Sequence, residues 1–154
     1  SLAEYMEEKL WKRIDAAHDA FWTLSNGTEL AMGGLSVSMR DYVRFARLYL
    51  HEGAYNGEQI LDREWVRASM DVSEEFAKPG ANNDAYNAIG YGYQWWIPEG
   101  NQGEFMAIGV YGQWIYVNPS KQVIIVKTSA DSDFMEPGYE LKHVEFFRAV
   151  AEAL

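Results

Sequence analysis

Nucleophilic catalysis needs an attacking atom, a base that activates it and donors that hold developing negative charge, and each leaves a trace in residue type and spacing. The chain has no cysteine, which excludes thiol nucleophiles, disulfides and Cys-based zinc or iron–sulfur sites. Its serines are Ser1, Ser25, Ser36, Ser38, Ser69, Ser73, Ser120, Ser129 and Ser132, and none has a lysine three residues on. Gly34-Leu35-Ser36-Val37-Ser38 opens like a nucleophile elbow but ends on serine where the second glycine belongs. Ser36 and Ser38 therefore read as helix-entry residues, and no complete serine nucleophile is encoded. His18, His51 and His143 lie in no metal-ligand spacing, and His51 falls at a helix end where the dipole alone favours it. Asp131-Ser132-Asp133 lacks the other ligands of a calcium loop and reads as a solvated turn.

A second concentration of chemistry is aromatic. Residues 86 to 116 hold Tyr86, Tyr91, Tyr93, Trp95, Trp96, Phe105, Tyr111, Trp114 and Tyr116, nine rings where the whole-chain rate of 23 in 154 gives about five. Alternation along strands sends these rings to both faces. Two readings stand: a sheet buried on both sides, or an aromatic-walled cleft beside Gly109 and Gly112, where missing side chains let a ligand approach the backbone.

The elements that position these residues follow from capping and periodicity. Ser1 and Glu4 form a capping-box pattern, and Leu2, Tyr5, Met6, Leu10 and Ile14 recur near helical spacing. Residues 15 to 37 carry Asn26-Gly27 and Gly33-Gly34 and read as turns. Ser38 caps a helix over 39 to 51, with an apolar face of Tyr42, Phe45, Ala46, Tyr49 and Leu50 and a stop at Gly53. Asp62 caps a short third helix through Trp65, Val66 and Met70, and a Gly/Asn/Asp-rich loop spans about 73 to 90. From Gly90 the period becomes two. Strands are predicted over Tyr91 to Trp95, Phe105 to Val110, Gln113 to Asn118 and Val123 to Ser129, the last two joined as a hairpin through Asn118-Pro119-Ser120-Lys121. Val123-Ile124-Ile125-Val126 is apolar on consecutive positions, which requires layers on both sides of the sheet. After Pro137-Gly138 a last helix carries Leu141, Val144, Phe147, Val150 and Leu154 and is expected to lie back across the sheet. The fold class is α+β, an antiparallel sheet with flanking helices, in one domain over 1–154.

Charge narrows the partners. With 13 Lys+Arg against 23 Asp+Glu and a net charge of −10, no basic cluster is present to neutralise phosphates, so nucleic acid is excluded as a partner. The longest uncharged stretch, Phe105 to Ser120, is broken by Gly, Gln, Asn and Pro and predicts no membrane span. No basic segment followed by an apolar core opens the chain, and the compartment stays unassigned.

Taken together, Ser1 to Trp11, Gly33-Gly34-Leu35-Ser36 with Arg40-Asp41-Tyr42 and Phe45 to Leu50, Gly90-Tyr-Gly-Tyr-Gln-Trp-Trp96, and Phe105 to Gln113 followed by Asn118-Pro119 resemble the C-terminal half of the serine β-lactamase and penicillin-binding-protein superfamily. The similarity is greatest to its class C-related hydrolases, the family VIII carboxylesterases and 6-aminohexanoate-dimer hydrolases. The resemblance implies acyl-enzyme chemistry on a small ester, amide or β-lactam-like substrate with no metal or cofactor, in a bacterial protein that in many relatives is periplasmic or secreted. It also implies that the S-x-x-K and Y-x-N motifs lie upstream, so that this chain is a C-terminal portion carrying only the third motif and inactive by itself. Ala107-Ile108-Gly109 then stands at the K-T-G position. Gly109 and the N–H of Val110 become the catalytic elements, the latter as one of two oxyanion donors, and Trp96, Ile108, Tyr111 and Gln113 become substrate-binding residues. Ala-Ile in place of Lys-Thr favours an ester or amide over a β-lactam carboxylate. Gln113 has a second reading as a hydrogen-bonder at the strand start. The alternative function is a noncatalytic domain that binds a small acyl or peptide-like ligand or forms a homodimer through exposed sheet surface.

Overall fold

A computed structural model describes residues 1–80 and 88–154. The predicted loop over 73 to 90 falls partly on 81–87, and Tyr86 with it, outside the described residues. The chain opens with α1 (Leu2–Met6), whose Ser1 hydroxyl accepts from the Glu4 N–H while the Glu4 carboxylate reaches back to the amino terminus at 2.7 Å. The predicted helix does not continue regularly to Ile14. It widens into a π-turn over Glu7–Trp11, which buries Trp11 and lets its indole donate to the His18 carbonyl at 2.9 Å.

Residues 15 to 37 fold into small ribbons. β1 (Phe21–Trp22) pairs with β4 (Leu35–Ser36), and β2 (Leu24–Ser25) with β3 (Thr28–Glu29). Helix α2 (Met39–Leu50) starts and ends where its caps predict, with the Ser38 hydroxyl accepting from the Asp41 N–H and His51 at the C-cap. The hairpin β5 (Ala54–Tyr55) with β6 (Glu58–Gln59) leads into α3 (Arg63–Ser69), capped by Asp62 at 3.0 Å from the Trp65 N–H.

The predicted strand over Tyr91 to Trp95 is instead two short strands with a turn between them, β7 (Gly90–Tyr91) and β8 (Trp96–Ile97). Gly92 donates to the Trp95 carbonyl and Gln94 takes φ +67°, so the aromatic alternation is interrupted by a left-handed residue. The sheet is completed by β9 (Phe105–Gly109), β10 (Gln113–Asn118) and β11 (Val123–Lys127), antiparallel throughout in the order β11-β10-β9-β8-β7. β9 and β11 each end short of the predicted Val110 and Ser129.

Layers cover both faces, as consecutive apolar residues in β11 require. Phe105, Ile115 and Val117 bury against Ala46 and Tyr49 of α2, with Trp95 wedged at 4.7 Å from Tyr49 and 4.9 Å from Phe105. On the opposite face Met106, Trp114 and Tyr116 pack under α4 (Tyr139–Ala153) through Val144, Phe147 and Ala151. The α4 contact stripe departs from the prediction, because Leu141 and Leu154 are exposed and Tyr139 and Ala151 are buried in their place. Of the aromatic cluster, Trp95, Phe105, Trp114 and Tyr116 are core, as a sheet buried on both sides requires, while Tyr91, Tyr93 and Tyr111 are exposed.

Asp41 fixes α2 to the N-terminal segment. Its buried carboxylate accepts from the Ser38 hydroxyl (2.7 Å), the Ala17 N–H (2.9 Å), His18 Nδ1 (3.1 Å) and Arg44 (2.8 Å). Serine, histidine and aspartate meet here without forming a nucleophile relay, because Ser38 and His18 both turn to the carboxylate. Burial opposes ionisation, yet these hydrogen bonds and the Arg44 charge outweigh it and bring the carboxyl down to about 2. A native value below the unfolded one means that this stabilisation is present above pH ~4 and is lost as pH falls toward 2, about 2 kcal/mol in all. Urea midpoints measured from pH 5 to pH 2 are expected to fall, and Asp41→Asn to flatten that part of the fall.

Among the described residues no helix is long and apolar enough to cross a membrane.

Candidate functional site

The C-terminal end of β9 and the turn that follows it form the floor of a cavity of about 230 Å³. Ile108 and Gly109 supply the strand, Val110 and Gly112 the turn, and Trp96 of β8 one wall. β8 meets β9 only at the Trp96–Met106 pair, so the neighbouring strand stops before Ile108 and leaves that end of β9 open on one side. Four of the residues singled out from sequence are thus brought together: Trp96, Ile108, Gly109 and Val110.

The turn Val110-Tyr111-Gly112 is held in a strained form. Tyr111 and Gly112 have φ +62° and +77°, and the Gly112 N–H returns to the Gly109 carbonyl at 3.2 Å. Three braces come from the last residue of β11 and the segment after it. The Asp131 N–H donates to the Tyr111 carbonyl at 3.1 Å, Lys127 Nζ donates to the Gly112 carbonyl at 3.2 Å, and Gln113 binds the Ser129 backbone through both ends of its amide. Val110 is left 61% exposed, and its N–H has no hydrogen-bond partner among the described residues. An unpaired backbone donor beside a cavity can receive an anionic oxygen.

The other two predicted residues stand apart. Tyr111 props the cavity from outside, its ring 5.2 Å from that of Phe134. Gln113 shares its face of β10 with Ile115 and Val117, and its amide is occupied by Ser129, which is the strand-start role given as its second reading. Gly109 has an ordinary φ, and a Cβ there would meet Gln113 Cβ at 3.0 Å, so the packing of that pair is itself a reason for glycine.

Sequence reasoning missed the opposite wall. Phe134, Met135, Tyr139 and Glu140 line it from the turn before α4 and from the first turn of α4. Tyr139 is buried and donates to Asp131 at 3.0 Å, and burial together with that bond pushes its phenol up to about 12. Asp131 is held below the usual carboxylate range by the Asp133 N–H and the Tyr139 hydroxyl. A signal was present at Pro137-Gly138, which starts α4 with Gly138 at φ +79° and so places Tyr139 and Glu140 toward the sheet.

An antiparallel sheet with helical layers on both faces is the architecture of a β-lactamase-like fold, and the chain belongs to the beta-lactamase family, whose model matches residues 1–146. It is similar to the 6-aminohexanoate-dimer hydrolase of Paenarthrobacter ureafaciens, at 30% identity over 132 residues, 84% of this chain and 34% of that protein. A solved structure assigned as a 6-aminohexanoate-dimer hydrolase from Bacillus anthracis superposes with a TM-score of 0.82 at 32% identity, over 99% of this chain and 38% of that one. One assigned as a beta-lactamase from Bacteroides dorei DSM 17855 gives a TM-score of 0.64 at 17% identity, over 95% of this chain and 51% of that one, a likeness of fold. The chain spans about a third of the length of the hydrolase relatives it matches.

Proposed function

We propose that this chain is the C-terminal portion of a serine hydrolase working through an acyl-enzyme on an ester or amide, and that it supplies the third-motif strand and one oxyanion donor. The observation that carries this is the Val110 N–H, without a hydrogen-bond partner among the described residues, at the edge of the Trp96–Ile108 cavity in a chain of the beta-lactamase family. Gly109 ends the strand, Val110 N–H receives the oxyanion, and Trp96 and Ile108 hold the apolar part of the substrate. The nucleophilic serine and its lysine, with the tyrosine of the second motif, come from sequence outside these residues. A second donor at the serine's own N–H completes the oxyanion hole.

The purified chain is therefore expected to give no saturable hydrolysis of p-nitrophenyl acetate or of nitrocefin, and clear turnover would refute its dependence on upstream residues. Coding sequence upstream of Ser1 carrying S-x-x-K and Y-x-N would support the assignment, and a native start codon there would sink it. The alternative, a noncatalytic domain binding a small acyl or peptide-like ligand, draws on the same cavity and is favoured by that second outcome.

A further inference from the structure

Asn-Gly occurs twice in the chain, at Asn26-Gly27 and Asn56-Gly57, and each pair closes a two-residue hairpin turn. The first joins β2 to β3 between Ser25 and Thr28, the second β5 to β6 between Tyr55 and Glu58. The backbones match: Asn26 and Gly27 have φ +51° and +78°, Asn56 and Gly57 +47° and +85°, the I′ pattern. All four residues are exposed, and neither glycine N–H donates a hydrogen bond among the described residues. The side chains differ. Asn56 donates from Nδ2 to Asp15 Oδ2 at 2.7 Å, and its hairpin is anchored by the buried Tyr55 and by Arg13 Nη2 on Glu58 at 2.6 Å. The Asn26 amide has no hydrogen-bond partner among the described residues, and Leu24 and Ser25 ahead of it are exposed.

We infer that Asn26 is a self-modification site, where the chain converts an amide to a carboxylate in water, and that Asp15 protects Asn56 from the same reaction. The Gly27 nitrogen gives up its proton and attacks Asn26 Cγ. The Cγ–Nδ2 bond breaks, ammonia leaves with that proton, and a succinimide ring remains. Water then adds to one of the two imide carbonyls and opens the ring to aspartate or isoaspartate. Glycine permits the attack because no side chain shields its nitrogen. At Asn56 the bond from Nδ2 to Asp15 must break before Cγ can swing onto the Gly57 nitrogen, which raises the barrier. The product reaches beyond the turn, because Glu29 of β3 accepts from the Leu2 and Ala3 N–H groups at 3.0 and 3.3 Å. Isoaspartate inserts one extra backbone carbon into the two-residue turn, so it breaks the Ser25–Thr28 register and displaces the carboxylate that holds the start of α1. Nothing in the reaction involves the cavity at the end of β9.

The test is incubation of the native chain at mildly alkaline pH, followed by tryptic digestion and mass spectrometry of peptides 14–40 and 48–63, which hold Asn26 and Asn56 as their single asparagines. Asn26 is expected to deamidate about fivefold faster than Asn56, the factor that one hydrogen bond to a charged group supplies. In urea the two rates are expected to converge within about twofold, because both sites then present the same dipeptide. Asp15→Gly suits the φ of +51° at that position and is expected to raise the Asn56 rate about fivefold while leaving Asn26 unchanged. Asp15→Asn keeps an acceptor and is expected to restore the protection. The isoaspartate form, separated by chromatography, is expected to show moved amide NMR resonances at Leu2 and Ala3. The inference is overturned by Asn56 reacting as fast as Asn26 in the native chain, by an Asn56 rate unmoved in Asp15→Gly, or by Leu2 and Ala3 resonances that stay in place.

Discussion

Gly112→Ala is expected to lower stability by about 3 kcal/mol, enough to shift the thermal midpoint of a chain this size by about 10 °C. Two causes add. Gly112 sits at φ +77°, where an alanine costs about 1 kcal/mol or more. A Cβ there would also stand 2.3 Å from Tyr139 Oη and 3.3 Å from its Cζ. The phenol has little room to withdraw. It is buried, tied to Asp131, and its ring lies 4.2 Å from His143, which in turn stacks on Trp114 at 5.0 Å. Placing Gly112→Ala in a Tyr139→Phe background separates the causes, because the phenyl ring removes the closest atom and leaves the backbone strain. A coupling near 1 kcal/mol is expected from urea midpoints of the cycle. Coupling near zero would assign the whole loss to φ. Gly109→Ala is the contrast: its φ is ordinary and its nearest obstacle is the Gln113 side chain, so a loss of about 1 kcal/mol is expected.

The difference between these two glycines marks where sequence reading stopped. The resemblance pointed to Gly109, and the strand signals around it were strong because Val123 to Val126 and Trp114 to Val117 are aromatic or β-branched without break. The helix caps at Ser38 and Asp62 were legible for a similar reason, since a cap is a local bond between residues three apart. The far wall of the cavity was not. Tyr139 and Glu140 reach it across the sheet, and no spacing rule links residue 140 to residue 109. The β7–β8 hairpin was hidden because Gln94 takes φ +67°, a backbone choice that the aromatic alternation around it does not betray. The α4 stripe was misassigned for another reason: Leu141 and Leu154 carry the apolar period, yet the sheet edge sets which side of the helix is covered, and it covers Tyr139 and Ala151. Local bonds and period were readable, whereas approach between distant segments was decided by the tertiary packing.

Arg148→Met is expected to be the most damaging single change outside the apolar core, at about 3 to 5 kcal/mol. Glu104, at the start of β9, is buried, and Arg148 of α4 grips both its oxygens, through Nε at 3.0 and 3.1 Å and Nη2 at 2.6 Å. The same Nη2 donates to the Glu99 carbonyl at 2.7 Å. Tyr116 adds a third donor to Glu104, and burial together with that bond pushes its phenol well above the ordinary range, so it stays a donor at any working pH. Asn118 ties Tyr116 to Gln102 at 3.1 and 2.7 Å. The cluster thus joins α4 to β9 and β10 at the end of the sheet opposite the cavity. Removing the guanidinium leaves a buried carboxylate with the Tyr116 hydroxyl as its only remaining donor among the described residues, and the cost is the stranded charge more than the lost attraction. The double change Glu104→Leu with Arg148→Met removes that charge as well and is expected to recover more than half of the loss, measured as urea midpoints at constant slope. A double variant no more stable than Arg148→Met would mean that the pair's geometry, and not its buried charge, sets how α4 seats on the sheet.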